Sequence, residues 1–262
     1  MQGLFEPLTA TFRKNRGFID YQTFFSMARK YTTLSEDGST IALLLQASGY
    51  PIEETVNGYY YKPMHTSYKE QEYVVVDIET NGSKPGTSQV IEIGAVKVKN
   101  GEIIDRLETL VFCAYLPQNI IELTGIEPKD LIGAPSRKEA LMMLRNFMQD
   151  AVFVAHNVGF DYTFLSASLK RFGLGCIGNV RLCTIDLAKR TIKSPKYGLA
   201  GLCETLNIDI GNHHRAYSDA IASLKIMQES FKHLPNYVVT TDDLIRFSQS
   251  SKKERKAKKE GK

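Results

Sequence analysis

Tyr73-Val74-Val75-Val76-Asp77-Ile78-Glu79 is a short β-branched run with charged residues before it and Thr80-Asn81-Gly82 after it, and it predicts a buried strand over 73–79. Side chains alternate faces along a strand, so Asp77 and Glu79 point one way while Val76 and Ile78 enter the opposite layer. One strand end therefore carries two carboxylates side by side. At roughly 4 Å and an effective dielectric near 20, such a pair repels by about 4 kcal/mol. It needs a cation, a shared proton or abundant water.

Two further acidic clusters follow in order. Ala151-Val152-Phe153-Val154-Ala155 predicts another apolar strand, ended by the turn pair His156-Asn157, after which Phe160 to Phe172 takes up helical spacing. Phe160, Phe164, Leu165, Leu169 and Phe172 fall near one helical face, and Asp161 lies one residue off it in the first turn. That places a third carboxylate at the C-terminal edge of a strand, where open α/β sheets keep their sites. Next, Asp219 opens an amphipathic helix whose core side is marked by Ile221, Leu224, Met227 and Phe231. His214 precedes Asp219 by five residues in the polar loop Gly211-Asn212-His213-His214, where an imidazole can serve a water near that carboxylate as general base. His213 has the same chemistry without the same spacing.

On these residues the chain resembles the DEDD superfamily of 3′-to-5′ exonucleases. Asp77 to Gly82 is similar to its first motif, His156 to Asp161 to its second, and His214-Arg215-Ala216-Tyr217-Ser218-Asp219 to its third. The histidine at 214, with arginine rather than tyrosine at 215, places the resemblance in the DEDDh branch. Val90-Ile91-Glu92-Ile93-Gly94-Ala95-Val96 and Leu123-Thr124-Gly125-Ile126 are similar to supporting stretches of that branch. Within it the chain most resembles the proofreading epsilon subunit of bacterial replicative DNA polymerases and the exonuclease segment found inside some Gram-positive replicative polymerases, while RNase T and oligoribonuclease share the motifs. The resemblance implies an RNase H-like fold and hydrolysis with two divalent cations, Mg²⁺ or Mn²⁺. Asp77, Glu79, Asp161 and Asp219 would hold the ions and His214 would act as base. By the same resemblance the backbone around Thr80 is a candidate contact to a terminal nucleotide, with Phe160 and Tyr162 as candidates by position. The implied partner is a single-stranded DNA 3′ end, with RNA possible, together with a polymerase catalytic subunit. A hard ion also suits the donor set, because the donors are carboxylates and Cys113, Cys176, Cys183 and Cys203 form no CxxC pair.

The element pattern agrees with an α/β fold built on a mixed five-stranded sheet with flanking helices. Strands are predicted at 73–79, 89–99 and 102–112 with Asn100-Gly101 as a hairpin turn. A helix near 136–149, the strand at 151–155, the helix after Gly159, a short strand at 180–183 and helices near 184–192, 199–206 and 217–233 complete it. Residues 1–68 stand apart as a small module. Helices at Phe5–Lys14, Tyr21–Tyr31 and Ser39–Ala47, a break at Leu34–Gly38 and a hairpin around Asn57-Gly58 are winged-helix-like. This module carries six basic and six acidic residues, so contact with protein is expected of it rather than reading of a DNA groove.

Residues 69–235 form the expected exonuclease domain, and 236–262 an extension with a basic end. From Ser251 the chain holds seven basic and two acidic residues, more than its whole net charge of +4. That composition predicts a disordered tail able to attract phosphates. Asp243-Leu244-Ile245-Arg246-Phe247 is a faint likeness to a clamp-binding peptide. With no run of eighteen apolar residues and no signal pattern, a cytoplasmic location with reduced thiols and no membrane contact is expected. A non-enzymatic adaptor of the same fold is the alternative that the complete acidic set argues against.

Overall fold

The computed structural model describes residues 2–31, 38–209, 211 and 214–250. The expected break at Leu34–Gly38, apart from Gly38, His213 and the basic tail lie outside the described residues. In chain order the elements are α1 (Gln2–Lys14), β1 (Phe18–Asp20), α2 (Tyr21–Tyr31), α3 (Gly38–Ala47), β2 (Ile52–Thr55) and β3 (Gly58–Tyr61), then β4 (Tyr73–Thr80), β5 (Val90–Lys99) and β6 (Glu102–Leu110). Next come α4 (Gln118–Thr124), α5 (Arg137–Met148), β7 (Val152–Ala155), α6 (Val158–Arg171), β8 (Arg181–Cys183), α7 (Thr184–Thr191), α8 (Leu199–Leu206), α9 (Ala216–Lys232) and α10 (Thr241–Gln249).

The main sheet runs β6-β5-β4-β7-β8, with β4 antiparallel to β5 and parallel to β7. The period of two along β4 sorts its side chains into two cores. Val74, Val76 and Ile78 pack with Leu141, Leu144 and Met148 of α5 and Phe164, Leu165 and Leu169 of α6. Tyr73 and Val75 pack on the other face with Leu187 of α7, Leu224 and Met227 of α9, and Leu244, Ile245 and Phe247 of α10. Asp77 and Glu79 continue that second row, so the two acids point toward the layer that contains α9.

Across β5, Gly94 stands opposite Asp77 and Glu92 opposite Glu79. A Cβ on Gly94 would lie 2.2 Å from both the carbonyl carbon of Ala216 and the backbone nitrogen of Tyr217. The first turn of α9 thus rests on the strand where β5 has no side chain. Asn100 and Gly101 join β5 to β6 with φ of 53° and 83°, the left-handed pair that a tight hairpin requires.

The described residues up to Tyr61 build a second, three-stranded antiparallel sheet in the order β1-β3-β2, over a core that includes Leu4, Leu8, Phe12, Phe24, Ile41, Leu45 and Tyr59. β1, three residues long, falls below what periodicity can register, yet it completes the sheet. The hairpin turn is displaced by one residue from the Asn-Gly expectation. Its loop is Val56-Asn57 and Gly58 is the first residue of β3, where a Cβ would sit 2.1 Å from the carbonyl oxygen of Ile19. The glycine serves close approach of β1 rather than the turn.

This module is fastened to the rest of the chain. Asp242 of α10 is buried and accepts from Arg13 Nε at 2.9 Å and Nη2 at 2.6 Å. Arg145 donates to the carbonyls of Ala47 and Cys176, and Gly178 N–H to that of Ser48. Lys62 pairs with Asp150 just before β7. The junction therefore lies by the beginnings of β7 and β8, at the end of the sheet away from Asp77 and Glu79. α10 also corrects the clamp-peptide likeness: Leu244, Ile245 and Phe247 are buried core residues, and a segment used this way offers no peptide to a partner. No helix among the described residues is long and apolar enough to cross a membrane.

Gly94→Ala is expected to destabilise the protein by about 1–3 kcal/mol, the usual range for overpacking, because backbone rather than a flexible side chain must move. Gly159→Ala, where nothing lies within 4 Å of the added carbon, should be neutral or stabilising. Urea denaturation of the two variants measures the difference, and equal midpoints would contradict the close contact of β5 with α9.

Candidate active site

Asp77 and Glu79 reach the pocket from the C-terminal end of β4, where the register with β5 shifts between Glu79 and Thr80 and pairing ends. Asn81 holds the chain beyond that point. Its Oδ1 accepts from Gln89 N–H at 2.8 Å, and its Nδ2 donates to the Tyr115 carbonyl at 3.4 Å. Asp161 and Asp219 each occupy the fourth position of a helix, α6 and α9 respectively, and both are buried. Two helix N-termini consequently meet the two strand acids, and the positive ends of their dipoles face the charge. α6 starts at Asn157, whose left-handed φ of 67° turns the chain sharply out of β7, as the expected turn pair requires.

Neighbouring carboxylates act on Asp77, Glu79 and Asp161 in addition to burial. Burial first, then Asp161, Asp219, Glu79 and Glu92, hold Asp77 well above the ordinary carboxylate range. Glu79 is pushed up to about 7, by burial and then by Asp219 and Glu92, with Arg215 opposing. Burial raises Asp161 as well, although backbone N–H groups of Asp161 and Ile78 pull in the other direction. Among the described residues Arg215 is the cation that acts on Glu79, and it is already engaged by Glu92 at 2.8 Å.

His214 is exposed, with φ of 61°, and one ligand atom each of Glu79, His214 and Asp219 lie within 4.8 Å of one another. A group of hard oxygen donors, of which Asp77, Glu79 and Asp161 resist ionisation through burial and through neighbouring carboxylates, fits a divalent metal ion.

His156, by contrast, is no candidate for proton transfer at neutral pH. Burial pushes its pKa down to about 4, and Nδ1 is in hydrogen-bond contact with Thr184 Oγ1 at 2.8 Å. Thr80 is partly buried at the strand end. Phe160 corrects the expectation that it joins the apolar face of its helix: it is 37% exposed, with its ring 5.8 Å from that of Phe164. Sequence reasoning did not single out Glu92 or Arg215 for the site. Glu92 was nevertheless visible as one acid within the apolar run 90–96, a setting that obliges a buried carboxylate to have a partner.

Comparison with known proteins agrees with this geometry. Residues 74–227 match the RNase T-type exonuclease family model, and the chain belongs to that family. It is 40% identical over 165 residues to the PolC-type DNA polymerase III of Halalkalibacterium halodurans, covering 62% of this chain and 12% of that protein. With the PolC-type polymerase of Staphylococcus haemolyticus it shares 37% identity over 183 residues, covering 69% of this chain and 13% of that one. The chain thus spans about an eighth of the length of these curated relatives.

Among solved structures, E. coli Exonuclease I in complex with a dA16 oligonucleotide superposes with a TM-score of 0.58 at 17% identity, over 68% of this chain and 42% of that one. A zinc-bound complex of the same enzyme with single-stranded DNA gives 0.57 at 19% identity, over 64% and 42%. These likenesses show the fold. Exonucleases of this family generally use divalent metal ions.

A carboxyl whose pKa is higher folded than unfolded binds more protons in the folded state between the two values, so its stabilising effect is present at low pH and is lost as pH rises. For Glu79 that interval runs from its ordinary 4.5 to about 7, and Asp77 and Asp161 have the same sign. Without divalent ions, thermal stability should therefore fall from about pH 5 to about pH 8. Because Mg²⁺ binds ionised carboxylates, the rise in Tm on adding it should grow over the same interval. A Mg²⁺ increment that stays flat with pH, or is absent, would contradict a carboxylate cation site.

Proposed function

We propose that this protein is a 3′-to-5′ exonuclease that removes nucleoside 5′-monophosphates from single-stranded DNA and proofreads for a replicative DNA polymerase in the cytoplasm. The observation that carries the reading is the convergence of Asp77, Glu79, Asp161 and Asp219 beside His214. The kinship with PolC-type polymerases supports a polymerase catalytic subunit as partner and DNA as substrate.

Asp77, Glu79, Asp161 and Asp219 would hold two Mg²⁺ or Mn²⁺ ions, which supply positive charge to the attacking and leaving oxygens of an in-line displacement. His214 takes a proton from the attacking water, whose oxygen bonds to phosphorus while the bond to the preceding 3′ oxygen breaks. The products are a 5′-monophosphate and a strand with a new 3′-hydroxyl. The exposed Phe160 ring offers an apolar surface to an unpaired base and Thr80 a polar contact at the strand end, a combination suited to frayed ends.

Asp77→Asn should give a folded protein with activity reduced at least about 100-fold, since it removes charge from the centre of the cluster. His214→Gln should lose about 100-fold or more in kcat at neutral pH while binding the end normally. Digestion of matched and mispaired DNA primers and of short RNA, with Mg²⁺ and with chelator, tests the whole reading. Faster removal of mispaired DNA ends supports proofreading. Preference for RNA would refute the substrate assignment, and inactivity would refute the enzyme.

A further inference from the structure

The geometry points to Glu92 and Arg215 as a positioning pair that sets the place of His214. The inference rests on the exonuclease reading proposed above.

Glu92 is 1% exposed and lies in the otherwise apolar first half of β5. Its Oε1 accepts from Arg215 Nε at 3.0 Å and Nη2 at 2.8 Å. Its Oε2 accepts from the backbone N–H of Ala216 at 3.0 Å, with Arg215 Nε a further 3.3 Å contact. Arg215 and Ala216 are the two residues that follow His214, so one buried carboxylate grips both.

Arg215 is the N-cap residue of α9 but makes no side-chain cap bond. The acceptor for the first N–H of the helix comes instead from another strand. Gly94, two residues along β5, lets that helix turn approach until a Cβ would touch its backbone at 2.2 Å. The residues that directly follow His214 are thereby tied to β5.

The fixing has work to do, because His214 has φ of 61°. A non-glycine residue in this region is strained and persists where its surroundings over-determine it. Glu92 is also the cross-strand neighbour of Glu79, so the anchor of the loop and one of the acids that His214 faces are side by side on paired strands. A guanidinium fork meeting a carboxylate at two nitrogens is directional, and a lysine ammonium provides the charge without the direction.

The test uses the full chain with Mg²⁺ and a single-stranded DNA oligonucleotide. Wild type, Arg215→Lys, Arg215→Met, His214→Gln and the His214→Gln/Arg215→Met double variant are compared, with thermal melts to verify folding. Arg215→Lys keeps a cation opposite Glu92, so it remains informative should Arg215→Met fail to fold. Both single Arg215 variants are expected to lose about 10- to 100-fold in kcat, the scale for groups that orient site residues, with KM nearly unchanged. In the His214→Gln background, Arg215→Met should add no further loss.

Full activity in Arg215→Lys would overturn the inference, since charge alone would then suffice. An additive loss in the double variant would overturn it too, because Arg215 would then act independently of His214. A wild-type protein with no nuclease activity would remove the exonuclease reading itself, and this inference with it.

Discussion

Mutual repulsion among carboxylates forced into one pocket is the constraint around which this molecule is arranged. Burial first, and then the neighbouring carboxylates, raise the pKa values of Asp77, Glu79 and Asp161, with Asp219 among the charges acting on Asp77 and Glu79. A fold that sought stability alone would disperse them. Here three different elements deliver them to the same end of β4, and two of those elements are helices presenting their positive N-terminal ends. Such an arrangement suits a site for a divalent metal ion.

The rest of the structure holds that arrangement in place. β4 is central in its sheet and packed on both faces, so its acids sit at the end of the least deformable strand. Gly94 admits the first turn of α9, and Glu92 ties the same turn with directional hydrogen bonds. On the opposite end of the sheet the small module is joined through Arg13–Asp242 and Arg145, and α10 belongs to the main core. The described residues of that module accordingly sit toward the end of the sheet away from Asp77 and Glu79. Their balanced charge agrees with that placement better than with a grip on phosphates.

Much of this was legible in the chain. The alternation Val74, Val76, Ile78 against Val75, Asp77, Glu79 predicted both the strand and the shared direction of the two acids. Helical spacing after residue 159 and before residue 232 put Asp161 and Asp219 in first turns. What escaped were features shorter than a period or dependent on a second element. β1 is three residues long, α4 seven and α10 nine, and the apolar residues of α10 read equally well as a peptide motif until α7 and α9 are seen to cover them. Gly58 followed the rule for a turn but serves a close strand contact.

Local sequence, then, determined the elements, their order and the acid-bearing strand end, because periodicity and turn chemistry act over a few residues. Tertiary structure alone decided that Glu92 would meet Arg215 across 123 positions of chain, that Phe160 would face outward, and that His214 would be held in a left-handed conformation beside Glu79 and Asp219. Those outcomes depend on which surfaces pack together, and a periodic pattern specifies a face without naming its partner.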